Sequence, residues 1–217
     1  MKNKLIIFGA GGHAVKMAKI ALLGQFEVVG YISIEPPGTI ISGFPVFGDV
    51  NFFIEQNHFH DYLLHIGIGE NHVRRNIFSS LGNLNANICS IISNKSIVSN
   101  DAEINLGTCI VQNAVIQNNV KIGRCCIIDT GAIVDHDTEV GDFVNISPNS
   151  VICSHVKIGN GVFIGAGSTI IDHITIGENS LIGAGSVVVK NIEPNVVAFG
   201  NPARVYRKRD LNQNIFK

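Results

Sequence analysis

The chain has no tryptophan, 3 tyrosines and 12 phenylalanines, and only 15% of its 217 residues are charged. No sign of charge is in excess: 16 basic against 17 acidic residues leave a net charge of −1, which removes the electrostatic case for nucleic acid or an anionic membrane surface as partner. Cysteine is sparse. Cys89, Cys109, Cys125, Cys126 and Cys153 are odd in number and contain no CxxC pair, which argues against a disulfide framework or a structural zinc knot and for a reducing compartment. A long hydrophobic run is missing too. The opening MKNKLIIFGAGG is broken by glycines too early for a signal sequence or a membrane span, so a soluble, cytoplasmic protein is expected. What the chain does have is aliphatic mass. Hydrophobic residues reach 46%, which excludes disorder, and Ile plus Val supply 55 residues, about a quarter of the chain, which favours strands. The length allows at most two modest domains.

The strongest pattern is a period of six. From Ile92 to Val188, all seventeen positions taken at steps of six are Ile or Val, and the residue two places earlier is mostly small or branched (Ala102, Thr108, Ala114, Val120). Residues two apart share one face of a strand, so each hexapeptide reads as a short strand with two inward side chains followed by a corner. That is the signature of a parallel β-helix. Gly123, Gly141, Gly159 and Gly177 recur at eighteen, so three hexapeptides make one triangular coil; their expected role is an unusual backbone angle at the corner. The outward residues sort by face. Glu103, Lys121, Glu139 and Lys157 form a charged, solvated ladder. Ile97, Val115, Ile133, Val151, Thr169 and Val187 form an apolar one, and Cys109, Ile127, Asn145, Phe163 and Leu181 another. Two apolar faces and one charged face fit a prism that touches two neighbours around a threefold axis, so a homotrimer is expected.

The first eighty residues read differently. A strand at 4–8 runs into Gly9-Ala10-Gly11-Gly12-His13 and a helix to about Leu23; a strand at 27–32, a strand near 62–68 and a helix after Asn71 follow. This is a βαβ-type open parallel sheet, a Rossmann-like half, whose glycine turn and helix N-terminus suit a phosphate. It is too short for the two halves a dinucleotide needs, which points to a single nucleotide or nucleotide-sugar.

Among the histidines, His58, His60, His65 and His72 receive no role. His136, His155 and His173 fall on one corner in successive coils, at the edge of the Ile133 face, with Asn145 on the other apolar face. An imidazole is the usual general base near neutral pH, and Asp135 or Asp137 can fix the tautomer of His136. Ser154 stacks one coil beyond, where its backbone N–H is a donor for a developing oxyanion. No cysteine is expected on the His136 corner, so direct attack rather than a covalent intermediate is the expected route.

These motifs together resemble the bacterial hexapeptide acetyltransferases of nucleotide-linked amino sugars and sialic acids. The likeness spans nearly the whole chain through GAGGH, Pro45-Val46-Phe47-Gly48-Asp49, Ile68-Gly69-Glu70-Asn71, VDHDTEVGDFVNISP and GNPAR. It implies a nucleotide-sugar-binding βαβ domain at 1–85 and a left-handed β-helix acyltransferase domain with a C-terminal tail at 86–217. It also implies a homotrimer, acetyl-CoA as co-substrate between neighbouring helices, no metal, and a place in surface-polysaccharide building. By position, His136 matches the base and Asp137 its polarising acid. Gly11, Gly12, His13 and Asn71 match sugar-nucleotide contacts, and Ala166 and Ala184 the pantetheine slot. Two positions depart from the pattern. Asn145 stands where relatives often carry His, at an acetyl-CoA contact, and Ser33 stands where they often carry Asp, near the nucleotide base. The basic tail (Arg204, Arg207, Lys208, Arg209) would meet coenzyme phosphates or solvent. Three rival readings stay open: O-acetylation of sialic acid or a related sugar hydroxyl, a non-catalytic scaffold, and a trimeric zinc β-helix of carbonic anhydrase type. For the last, Asp137, His155 and His173 stack, but the close H-x₄-H spacing is missing.

Overall fold

The computed structural model describes residues 2–55, 59–82 and 86–210. His58 lies outside them, as does residue 85 at the expected domain boundary. In the N-terminal part, β1 (Asn3–Phe8) leads through the glycine turn into α1 (Gly12–Leu22) and back to β2 (Phe26–Ile32). A hairpin of β3 (Ile40–Ile41) and β4 (Phe44–Gly48), then α2 (Val50–Glu55), precede β5 (Leu63–Ile66) and α3 (Asn71–Gly82). The Pro45–Asp49 motif is thus the β4 strand and the turn after it, which the apolar pattern alone did not resolve. The sheet order is β3-β4-β2-β1-β5, parallel except for the β3–β4 hairpin. The order reverses between β1 and β5. In an open sheet of this kind, ligands bind at such a reversal, outside the carboxyl ends of the strands.

From Ile91 onward the chain forms the left-handed parallel β-helix, in dipeptide strands that pair at intervals of eighteen, for example Ile127 with Asn145 and Asn145 with Phe163. The inward ladder is the core: Ile110, Ile116, Ile122, Ile128, Val134 and Ile146 are fully buried. An antiparallel hairpin, Val196–Gly200 with Ala203–Lys208, ends it. Arg209 does not trail into solvent: its guanidinium donates to the Asn179 carbonyl at 2.7 Å.

Two expectations need correction. The glycines at 123, 141, 159 and 177 do not supply the unusual backbone angle. From Gly107 to Gly185 every sixth residue has φ between 50° and 74°, and most of these are Asn, Asp, His, Cys or Phe. The stacked glycines are required instead by close approach, since a Cβ at Gly159 would lie 2.5 Å from the Glu178 nitrogen of the next coil. Nor do both apolar faces await neighbours. Cys109 and Ile127 are 1% and 3% exposed within the single chain, packed in one cluster with Ala14, Met17 and Ala18 of α1. The chain's own N-terminal domain covers that face. Only the Ile97–Val187 ladder stays open, with Ile97 68% and Ile133 37% exposed.

Candidate active site

The junction between the two parts is built by α1 and α3. Arg74 of α3 is buried, and its guanidinium donates to the carbonyls of Cys125, Ile68, Gly69 and Phe143 and to Asn71 Oδ1. The Asn71 amide in turn donates to the carbonyls of Gly161 and Val162. Asn71, expected to touch the nucleotide-sugar, therefore lines neither cleft described below. Its side chain is used up in holding α3 to the β-helix. From α1, Lys16 Nζ reaches Asp129 Oδ1 at 2.7 Å. Burial alone would push the Asp129 carboxyl up, but the Lys16 ammonium and the Thr130 N–H hold it below the ordinary carboxylate range.

At the sheet reversal lies a cleft of about 550 Å³, lined on one side by Gly9, Gly11, Gly12, His13 and Lys16 and on the other by Asp129, Asn145, Ser147 and Pro148. Glycine at 11 and 12 leaves this wall open, for no atom lies within 4 Å of a Cβ built at either. Asn145, placed by the sequence pattern on a face that a neighbour would cover, is buried and faces this cleft beside His13 of its own chain. A second cleft of about 360 Å³ shares Gly9 and Ile68 with the first and holds Ser33, Asp49 and Asn51. The glycine turn and Ser33 are thus brought together around the end of β1. Burial, with a further push from Lys16, lowers His13 to about 3, so its imidazole is neutral. Burial likewise raises the Cys109, Cys125 and Cys126 thiols to about 12, so none is a ready nucleophile.

His136 sits on the other edge of the open Ile133 face. Its Nδ1 lies 2.7 Å from Asp137 Oδ2, and this bond raises the His136 pKa above the ordinary histidine value. Asn119, one coil earlier, donates to Asp137 Oδ1. Ser154 stacks on His136 as the coil repeat requires; among the described residues nothing accepts from its N–H, while its carbonyl accepts from His173. The expectation that this corner is free of cysteine is wrong: Cys153, eighteen after Asp135, occupies it. Burial, Asp172 and Asp135 all raise that thiol, which works against its forming the nucleophilic thiolate. Ala166 and Ala184 are exposed and continue, one and two coils on, the corner that Pro148 begins at the cleft. Within one chain the His136 corner and the cleft flank the same apolar face from opposite edges.

Sequence reasoning missed Lys16, Asp129 and Arg74. Lys16 carried a trace, one turn after the glycine motif. Asp129 and Arg74 carried no signal in the sequence pattern.

Residues 4–81 match the family model described as the PglD N-terminal domain, and residues 155–190 match the bacterial transferase hexapeptide of six repeats. Among solved structures, the acetyltransferase domain of PglB from Neisseria gonorrhoeae is 31% identical with a TM-score of 0.89, covering 94% of this chain and 100% of that one. A variant of perosamine N-acetyltransferase from Caulobacter crescentus, in complex with CoA and GDP-perosamine, is 28% identical with a TM-score of 0.89, covering 94% and 96%. WeeI from Acinetobacter baumannii is 25% identical with a TM-score of 0.84, covering 93% and 99%. No curated protein matches. Among the described residues, no helix is long and apolar enough to cross a membrane.

Proposed function

This chain belongs to the bacterial hexapeptide-repeat sugar acetyltransferases, and from that premise we propose that it transfers acetyl from acetyl-CoA to the amino group of a nucleotide-linked amino-deoxy sugar. The observation that carries this reading is the pair of clefts around the end of β1. In the larger of the two, one wall is a phosphate-type glycine turn and the other is β-helix; the smaller is lined by N-terminal residues alone, Ser33 and Asp49 among them. Gly11, Gly12 and His13 hold the diphosphate and sugar, and Ser33 faces the base. The boundary near residue 85 separates the nucleotide-sugar domain from the acyltransferase domain.

The acceptor nitrogen attacks the thioester carbonyl carbon. His136 takes the nitrogen's proton, and Asp137 steadies the imidazolium that results. The oxyanion leans on the Ser154 N–H, then collapses to break the C–S bond and release the coenzyme as thiol once a proton returns to sulfur. A positioned base of this kind contributes roughly 10²–10⁴ in rate. Holding both substrates in one cleft contributes more. A homotrimer supplies the geometry. Packing the Ile133 face around a threefold axis sets the His136 edge of one protomer beside the Ala166 and Ala184 edge of the next, with pantetheine between. Use of acetyl-CoA and a nucleotide-sugar supports a cytoplasmic location.

The relatives named as N-acetyltransferases favour an amine over a sialic acid hydroxyl. The test is thiol release from acetyl-CoA with UDP-, GDP- and CMP-linked amino sugars beside free sialic acid. Release with a nucleotide-linked amino sugar alone is expected. Release only with sialic acid, or with no acceptor, overturns the reading.

A further inference from the structure

The His136 corner has chemistry that acetyl transfer does not use. His155 stands one coil beyond Asp137, and its Nε2 lies 3.9 Å from Asp137 Oδ2, the same oxygen that meets His136 Nδ1 at 2.7 Å. Asn119 occupies the other oxygen of that carboxylate, so Oδ2 is left facing two imidazoles. The two rings stand edge to face, 5.5 Å apart at 87°. His173 stacks flat on His155 at 4.7 Å and 4° and so limits its rotation. One donor atom from each of His136, Asp137 and His155 lies within 4.8 Å of the other two.

The coil repeat makes this arrangement rigid. Asp137 and His155 hold the same left-handed corner conformation, φ 57° and 56°, in adjacent coils. Two imidazoles and one carboxylate are the donor set of open zinc sites, with metal–ligand bonds of roughly 2.0–2.2 Å. Tetrahedral donors are then separated by roughly 3.3 Å. The observed 2.7 and 3.9 Å bracket that value, and the two imidazole donors lie within 4.8 Å of each other, so closing the site takes a movement of the rings toward one another of at most about 1.5 Å. Asn119 has the role that a hydrogen-bond partner behind a metal-bound carboxylate usually has, fixing which oxygen faces the ion.

We propose that His136, Asp137 and His155 form a binding site for a divalent transition-metal ion such as Zn²⁺, and that the bound ion inhibits acetyl transfer by occupying the His136 imidazole. The binding half stands on the geometry alone; the inhibitory half rests on His136 as the base.

The test uses the full chain freed of metal by chelation, with Co²⁺ as optical probe and Zn²⁺ as competitor. One ion per chain, with the visible bands of a tetrahedral nitrogen–oxygen site, is expected, together with Zn²⁺ inhibition that a chelator reverses. His155→Asn keeps a residue that tolerates the corner, as Asn119 does in the same stack. It is expected to weaken binding about 100-fold or more, since loss of a supporting partner alone costs about 10–100-fold. Its turnover in metal-free buffer should stay near wild type, and its melting temperature confirms folding. His173→Asn should keep one ion per chain. Absence of stoichiometric Co²⁺ in the wild type, or unchanged affinity in His155→Asn, overturns the site. An ion bound through His155 that leaves turnover unchanged overturns the inhibitory half. If no acceptor supports turnover at all, the functional reading fails, while the Co²⁺ spectrum still decides the metal site.

Discussion

His136 Nδ1 and Asp137 Oδ2 are held 2.7 Å apart by neighbouring residues of one left-handed corner, and Asn119 of the preceding coil ties the other carboxylate oxygen. The imidazole is thereby held through Nδ1, which leaves Nε2 as its second nitrogen. His136→Ala is expected to lower turnover by roughly 10²–10⁴ without changing the state of assembly. Thiol release and sedimentation check it together.

Because the bond to Asp137 raises the His136 pKa, the proposed base loses its proton at higher pH than an unperturbed imidazole. Activity therefore rises with pH through a midpoint above about 6.5. Asp137→Asn keeps the corner conformation and removes the carboxylate, so it should move that midpoint downward. A pH–rate profile for both proteins reads the shift; an unmoved midpoint contradicts the coupling.

The buried imidazoles behave oppositely. His13 and His65 are lowered to about 3 and about 4, in both cases chiefly by burial. A histidine whose folded pKa is depressed binds its proton more readily when unfolded, so its stabilising share is complete above about 6.5 and is lost as pH falls toward the folded values. Histidine NMR signals for both should stay flat from pH 8 to about 5 while that of His136 titrates. The urea midpoint should fall as pH drops from about 6.5 toward the folded values of about 3 and about 4.

Arg74 satisfies all its donors inside the domain junction, mostly on backbone carbonyls. Lysine cannot reach that many acceptors. Arg74→Lys leaves buried carbonyls unpaired at about 1–3 kcal/mol each. A loss of about 3 kcal/mol, and a melting temperature lower by about 6–12 °C, is expected from calorimetry.

Two glycines of the helix should respond in opposite ways. A Cβ at Gly159 meets the Glu178 backbone at 2.5 Å, whereas one at Gly167 meets nothing within 4 Å but sits at φ +68°. Gly159→Ala is expected to cost about 1–3 kcal/mol through overpacking. Gly167→Asn, suited to a left-handed angle, should cost under about 1 kcal/mol. Thermal melts rank the pair.

Val151 lies mid-ladder on the open face, between Ile133 and Thr169. Val151→Glu places a charge where a neighbour in the proposed trimer would exclude water, and it should leave a monomer with loss of activity. Sedimentation equilibrium decides it; a wild-type monomer contradicts the assembly.

The repeat was legible because each inward Ile or Val sees the same surroundings eighteen residues on, so a local pattern carries a global shape. The His136–Asp137 contact and the glycine turn were legible for a related reason: each is defined by immediate neighbours in the chain. The sequence alone therefore determined a β-helix behind a small parallel sheet, and an imidazole beside a carboxylate at one of its corners. Tertiary structure decided the rest. Which apolar face the chain covers itself, why the stacked glycines are glycines, and that Asn145 shares a cleft with His13 all depend on packing. Lys16 meets Asp129 across 113 residues and Asn71 meets Gly161 across 90. Contacts at such separation follow from how two folded parts dock, and no periodicity along the chain encodes that.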